Sequence, residues 1–174
     1  MIDAIRAKIR EVPDFPKPGI LFYDITTVLG DATLFRACID LMAEPFQSSH
    51  IDVVVAMESR GFIFGAPLAE RLGVGFAPIR KLSKLPWRTV SREYMLEYGT
   101  NTLEMHVDAV RPGQRVLLVD DLLATGGTLA ASLDIVQELG GIPVAVAVLV
   151  ELTALAGREL LSRYEVDVMS LLCM

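Results

Sequence analysis

The sequence predicts an α/β fold: a single domain on a doubly wound, mostly parallel sheet with flanking helices. Three observations lead there. Short apolar runs alternate with segments of helical period, which is the rhythm of βαβ units. The runs are continuously apolar, as strands covered on both faces are. Polar or glycine-rich turns follow several of them, where such sheets bind ligands. A chain of 174 residues with 52% hydrophobic content suits one core, and no composition break or low-complexity linker divides 1–174.

Taken in order, residues 3–10 form an amphipathic helix through Ile2, Ile5 and Ile9, and a second helix runs from Thr33 to Phe46. Val53 to Met57 is a buried strand, Phe62 to Leu72 a helix and Gly75 to Ile79 another strand. A polar stretch from Ser83 to Gly99 reads as a long loop. Unstructured connections above about 12–15 residues are uncommon and often act as lids. Val116 to Val119 is the next strand, ending at Asp120 and Asp121, and a helix follows over Gly127 to Leu139. The Ile142–Val150 strand, an Ala154–Leu161 helix and a Val168–Leu172 strand complete the pattern. No internal repeat is visible.

Composition excludes several function classes. A net charge of −6 argues against a nucleic-acid binder, which needs clustered cations facing many phosphates. The longest apolar stretches, such as Val144 to Val150, are too short to span a bilayer, and the N-terminus is charged rather than signal-like, so a cytoplasmic protein is expected. Cys38 and Cys173 make no disulfide framework or metal spacing. His50 and His106 sit neither at a strand end nor beside a nucleophile and read as structural or surface groups.

The segment Val116–Thr128, VLLVDDLLATGGT, passes from apolar strand to paired acids to a flexible turn. Ala124, Thr125, Gly126, Gly127 and Thr128 offer small side chains, two hydroxyls and backbone N–H groups just before a helix. A helix N-terminus with glycines approaching closely is a phosphate seat. Asp120 and Asp121 cannot bind the same phosphate. They suit sugar hydroxyls, directly or through Mg²⁺, so the segment reads as a site for a ribose 5′-phosphate. The plain alternative is an ordinary strand-to-helix turn. Arg80, Lys81, Lys84, Arg88 and Arg92 lie in thirteen residues without an acid. That patch suits a small polyanion or, more plainly, is a solvated loop. No GxGxxG follows the first core strand, which weighs against a dinucleotide fold.

The Val116–Thr128 segment resembles the phosphoribosyl pyrophosphate (PRPP) motif of type I phosphoribosyltransferases. Most of the remaining chain is similar to their adenine branch, through FPKPGILFYDIT (Phe15–Thr26), ESRGFIFGAPLA (Glu58–Ala69), IRKLSKLP (Ile79–Pro86), EYMLEYGTNTLEMH (Glu93–His106) and VELTALAGRE (Val150–Glu159). The resemblance implies a purine-side segment over 1–35 and a flexible catalytic loop or hairpin over 80–106. It implies pyrophosphate binding by Ser59, Arg60, Arg80, Lys81 and Lys84, with a cis peptide at Glu58–Ser59, and adenine contacts from Leu21, Phe22, Tyr23 and Leu152. Glu97 is implied as the acid/base for the purine nitrogen, with Arg60 also catalytic. The plain alternative for Arg60 is a helix-start arginine pairing with a surface acid. Mg²⁺ is implied as a cofactor held mainly by substrate rather than directly by protein, and a homodimer as the assembly. Trp87 and Arg88 depart from the small residues expected after KLP. The implied reaction converts adenine and PRPP to AMP and pyrophosphate in purine salvage. The open alternatives are another purine, such as hypoxanthine or xanthine, and a non-catalytic PRPP-sensing regulator.

Overall fold

A computed structural model of the chain describes residues 1–95 and 100–174. Its elements are α1 (Ile2–Lys8), β1 (Arg10–Pro13), β2 (Leu21–Asp24), α2 (Thr26–Leu29), α3 (Ala32–Ala43), β3 (Val53–Met57), α4 (Gly61–Leu72) and β4 (Gly75–Lys81). There follow β5 (Thr89–Met95), β6 (Thr100–His106), β7 (Arg115–Leu123), α5 (Gly127–Glu138), β8 (Ile142–Glu151), α6 (Gly157–Leu161) and β9 (Asp167–Cys173). Among the described residues no helix is long and apolar enough to cross a membrane.

The main sheet has the order β5-β6-β4-β3-β7-β8-β9. Strands β4, β3, β7, β8 and β9 are parallel throughout. The β5–β6 pair is antiparallel and joins through β4. Because β3 lies between β4 and β7, the winding direction reverses between β3 and β7, and the crevice at their C-terminal ends is where such sheets place a ligand.

Period-two alternation gives the sheet two cores. Val54 and Ala56 of β3, with Leu117 and Val119 of β7, face one cluster that includes Ile5, Cys38, Met42, Phe64 and Leu68 from α1, α3 and α4. Val53, Val55, Met57, Val116 and Leu118 face the other, with Leu129, Leu133, Val136 and Leu161 from α5 and α6. Both faces are therefore covered, which explains why these strands read as unbroken apolar runs.

Three expectations change. The first helix stops at Lys8, and Arg10 opens β1, which pairs antiparallel with β2 as a separate two-stranded sheet. The Ser83–Gly99 stretch is not a loop throughout: Thr89–Met95 pairs residue for residue with Thr100–His106. The strand carrying the paired acids does not end at them. Pairing of β3 with β7 stops at Ala56–Val119, but β8 continues alongside, matching Asp120 to Val148 and Leu123 to Glu151. The acids thus stand inside β7 just past its last pairing with β3, Asp120 level with Met57 and Asp121 beyond it.

Candidate active site

A cavity of about 370 Å³ opens at this crevice. Its lining comes from four places in the chain. The β3–α4 turn gives Glu58, Ser59 and Arg60, the end of β7 gives Asp120 to Leu123, the following loop and first turn of α5 give Ala124 to Leu129, and the edge gives Lys81, Tyr94 and Leu103. The Glu58–Ser59 peptide is cis, as the resemblance implies.

The seat at α5 follows from local geometry. Gly126 caps the helix with φ +85, a left-handed conformation that glycine adopts without penalty. The first N–H groups of any helix lack an acceptor within it, so those of Gly127, Thr128 and Leu129 are available where the cavity lies. Together with the helix dipole this favours an anion of phosphate size. Gly157 presses on the loop from behind: a Cβ there would fall 2.2 Å from the Ala124 carbonyl oxygen.

Gly61 lets the acids approach α4, since a Cβ on it would meet Asp120 Oδ1 at 2.9 Å and Val119 O at 3.0 Å. Asp121 is buried, and its Oδ2 pairs with Arg60 Nε at 2.9 Å. Asp120 is half-buried, and its Oδ1 accepts from the Asp121 N–H at 2.9 Å. Burial, and next the charge of Asp121, push the Asp120 carboxyl well above its ordinary range. Burial also raises Asp121, with Arg60 opposing. Adjacent carboxylates in a crevice resist full ionisation. The site therefore calls for further positive charge or donated hydrogen bonds.

The cationic side is arranged differently from a simple patch. Arg80 grips Glu58 at two points, 3.1 and 3.2 Å, and donates to the Lys84 carbonyl at 3.3 Å. Glu58 also accepts from the Lys81 N–H at 3.1 Å, and the Arg80 hydrogen bonds hold its carboxyl below the usual range. Buried Glu104 accepts from the N–H groups of Lys84 and Leu85, both at 2.9 Å, which pins the chain leaving β4.

The structure thus brings Ser59, Arg60, Lys81, Asp120, Asp121 and Ala124 through Thr128 around one cavity. Arg80, Lys84, Leu21, Phe22, Tyr23 and Leu152 are not part of its lining among the described residues. Phe22 adjoins it through Arg60, whose guanidinium carbon lies 5.9 Å from the ring centroid. Leu152 donates its N–H to Leu123 O at 2.9 Å, just ahead of the phosphate loop. Glu97 lies outside the described residues. Arg60 does pair with an acid, but with one inside the cavity rather than at the surface.

Sequence reasoning missed Glu58 as the partner of Arg80, Tyr94 and Leu103 as walls, and Gly157 as the loop's backing. The first was within reach: Glu58 follows β3, Arg80 lies near the end of the neighbouring parallel β4, and the register Met57–Ile79 sets them side by side.

The phosphoribosyl transferase domain model matches residues 26–172. An adenine phosphoribosyltransferase of Acetivibrio thermocellus is 57% identical over 164 residues, covering 94% of this chain and 96% of that protein. The crystal structure of adenine phosphoribosyltransferase from Thermoanaerobacter pseudethanolicus superposes with a TM-score of 0.96 at 53% identity, with full coverage of both chains. That of the Giardia lamblia enzyme, complexed with 9-deazaadenine, gives 0.95 at 35% identity, covering 99% of this chain and 97% of the other. With this agreement along nearly its whole length, and with the phosphate seat and paired acids at the sheet's switch point, the chain belongs to the adenine phosphoribosyltransferase family.

Proposed function

We propose that the site transfers the phosphoribosyl group of PRPP to N9 of adenine, releasing pyrophosphate and giving AMP. The observation carrying this reading is the shared cavity of the α5 N-terminus and the Asp120–Asp121 pair, which together match a 5′-phosphate joined to a ribose diol. Ala124 to Thr128 hold the phosphate, and the two aspartates accept from the sugar hydroxyls. Ser59, Arg60 and Lys81 face the pyrophosphate, with Arg80 and Lys84 behind them. The backbone around Leu21, Phe22 and Tyr23, with Leu152, receives the adenine edge. A fixed backbone can match an amine beside a ring acceptor without any diagnostic side chain.

Bond breaking runs ahead of bond making, so the sugar becomes oxocarbenium-like while negative charge gathers on the departing pyrophosphate. Arg60 and Lys81 stabilise that departing charge, and the paired acids balance the sugar. Glu97 serves as the acid/base for the purine ring nitrogen.

Among the described residues no group of three or more His, Cys, Asp or Glu is arranged to hold a metal. Asp120 and Asp121, two carboxylates at one cavity, fit a Mg²⁺ that retains water and substrate oxygens. When bound, that ion would neutralise pyrophosphate charge. The family resemblance further supports a cytoplasmic homodimer.

The test is incubation with PRPP, Mg²⁺ and a panel of purines while following pyrophosphate release. Turnover is expected with adenine and little with hypoxanthine or xanthine; equal use of all three, or none, removes the reading. Glu97→Ala should reduce turnover with adenine by about 10²-fold.

A further inference from the structure

Glu151 closes β8 with only 5% of its surface exposed, yet it lies outside the lining of the cavity. A buried carboxylate needs a partner with good geometry, and Arg158 supplies one at two points: Nε to Oε1 at 3.0 Å and Nη2 to Oε2 at 2.5 Å. Arg158 also donates to the Val168 carbonyl at 2.8 Å and to Ser170 Oγ at 3.1 Å, while Ser170 donates to Glu151. The first turn of α6 is therefore bolted to β8 and β9 by one planar guanidinium, a geometry that lysine cannot reproduce.

The residue before Arg158 is Gly157, and its backbone packs directly on the phosphate loop. A Cβ on Gly157 would fall 2.2 Å from Ala124 O and 3.0 Å from Gly126 N, and one on Gly126 would fall 2.8 Å from Gly157 O. Two backbones in such contact move together, because close-packed interiors transmit displacement. The ion pair sets the height of Gly157, and Gly157 sets the position of the N–H groups that receive the phosphate.

We propose that Glu151 and Arg158 are positioning residues for the 5′-phosphate seat, acting through Gly157 and touching no substrate. This rests on the reading of the loop as that seat. Such support matters because misplacing a binding group by about 1 Å can cost roughly 10²-fold in rate.

Kinetics of Glu151→Gln, Arg158→Lys and Gly157→Ala, with titrations of AMP and of pyrophosphate with Mg²⁺, test the proposal. Each variant should raise KM for PRPP by about tenfold or more, while KM for adenine stays within about twofold. AMP affinity should fall in parallel, and pyrophosphate affinity should hold, since pyrophosphate does not use the α5 loop. Ser170→Ala, which removes the hydrogen bonds to Arg158 and Glu151 but leaves their ion pair, should give a smaller shift in the same direction. If Glu151→Gln does not fold, Arg158→Lys carries the test, as it keeps the charge and loses the forked geometry that reaches Glu151, Val168 and Ser170 together. A lowered Tm with unchanged KM for PRPP, or equal losses for AMP and pyrophosphate, overturns the proposal. A wild-type protein that fails to turn over adenine and PRPP refutes instead the functional reading beneath it.

Discussion

Arg60 has two partners available and can serve only one fully. In the free site its guanidinium holds Asp121 at 2.9 Å and lies over Phe22. In the proposed reaction it turns toward pyrophosphate, and Asp121 then needs sugar hydroxyls or Mg²⁺ in exchange. The acids are therefore partly satisfied before substrate arrives, and binding is an exchange of partners. Two outcomes belong to this scale. Asp120→Asn combined with Asp121→Asn should reduce turnover by about 10²-fold or more in steady-state assays. Because Asp120 titrates well above its ordinary value of 3.8, it keeps its proton to a higher pH than a solvated aspartate. Sugar hydroxyls donating to Asp120 would favour its ionised form, so affinity for PRPP should rise with pH through that window, with proton release on binding. Calorimetry in two buffers of different ionisation enthalpy measures the protons released, and Asp120→Asn should lower their number. Equal proton release by wild type and variant would count against this assignment.

At the scale of elements, what the sequence revealed and what it hid separate by physical cause. Strands β3, β7 and β8 were legible because burial on both faces leaves a continuous apolar run. The β1–β2 pair was not: Pro13, Pro16, Pro18 and Gly19 read as irregular chain, and antiparallel pairing of two four-residue strands leaves little pattern. The β5–β6 pair was hidden by its polarity. Ser91, Arg92 and Glu93 belong to a half-solvated edge, and Arg92 reaches across to Glu138 on α5, 46 residues away. The PRPP motif was legible as a local sequence, whereas its supports, Glu58 with Arg80 and Glu151 with Arg158, exist only once strands are neighbours. The junction of α4 and β3 gives a prediction here. Gly65 lets the helix lie close, since a Cβ would fall 2.5 Å from Ala56 Cβ and 3.1 Å from Phe76 Cε2. Ala56 is a short side chain on a central strand and cannot rotate away. Gly65→Ala should therefore cost about 1–3 kcal/mol through overpacking, read as a lower urea midpoint with unchanged slope. An unchanged midpoint would mean that α4 shifts freely.

For the molecule as a whole, stability and chemistry draw on the same buried charges in opposite directions. Glu58 and Glu151 have carboxyls held below their ordinary value of 4.5, first by hydrogen bonds from Arg80 and Arg158 respectively. A depressed native pKa adds stability above the unfolded value, and that stability is lost as pH falls through the native one. Asp120 has the reverse sign. Its raised native pKa means that ionisation disfavours the folded state, with no penalty below the unfolded value and the full penalty once pH exceeds the native value. Replacing it by asparagine keeps the shape and an oxygen to accept the Asp121 N–H, now at 2.9 Å, but removes the charge. Asp120→Asn should therefore melt at a higher temperature than wild type near pH 8, by about 2–4 °C for each kcal/mol relieved in a chain of this size. The gap should close as the buffer is taken down toward pH 4, where Asp120 is protonated in wild type as well. Activity should fall in the same variant, the usual exchange where a site holds charge that the fold alone would reject. Calorimetric melts of both proteins across that range decide it. A variant that melts lower than wild type at pH 8, or a gap independent of pH, would show that Asp120 is already compensated in the free protein and that the aspartate pair imposes no strain on the fold.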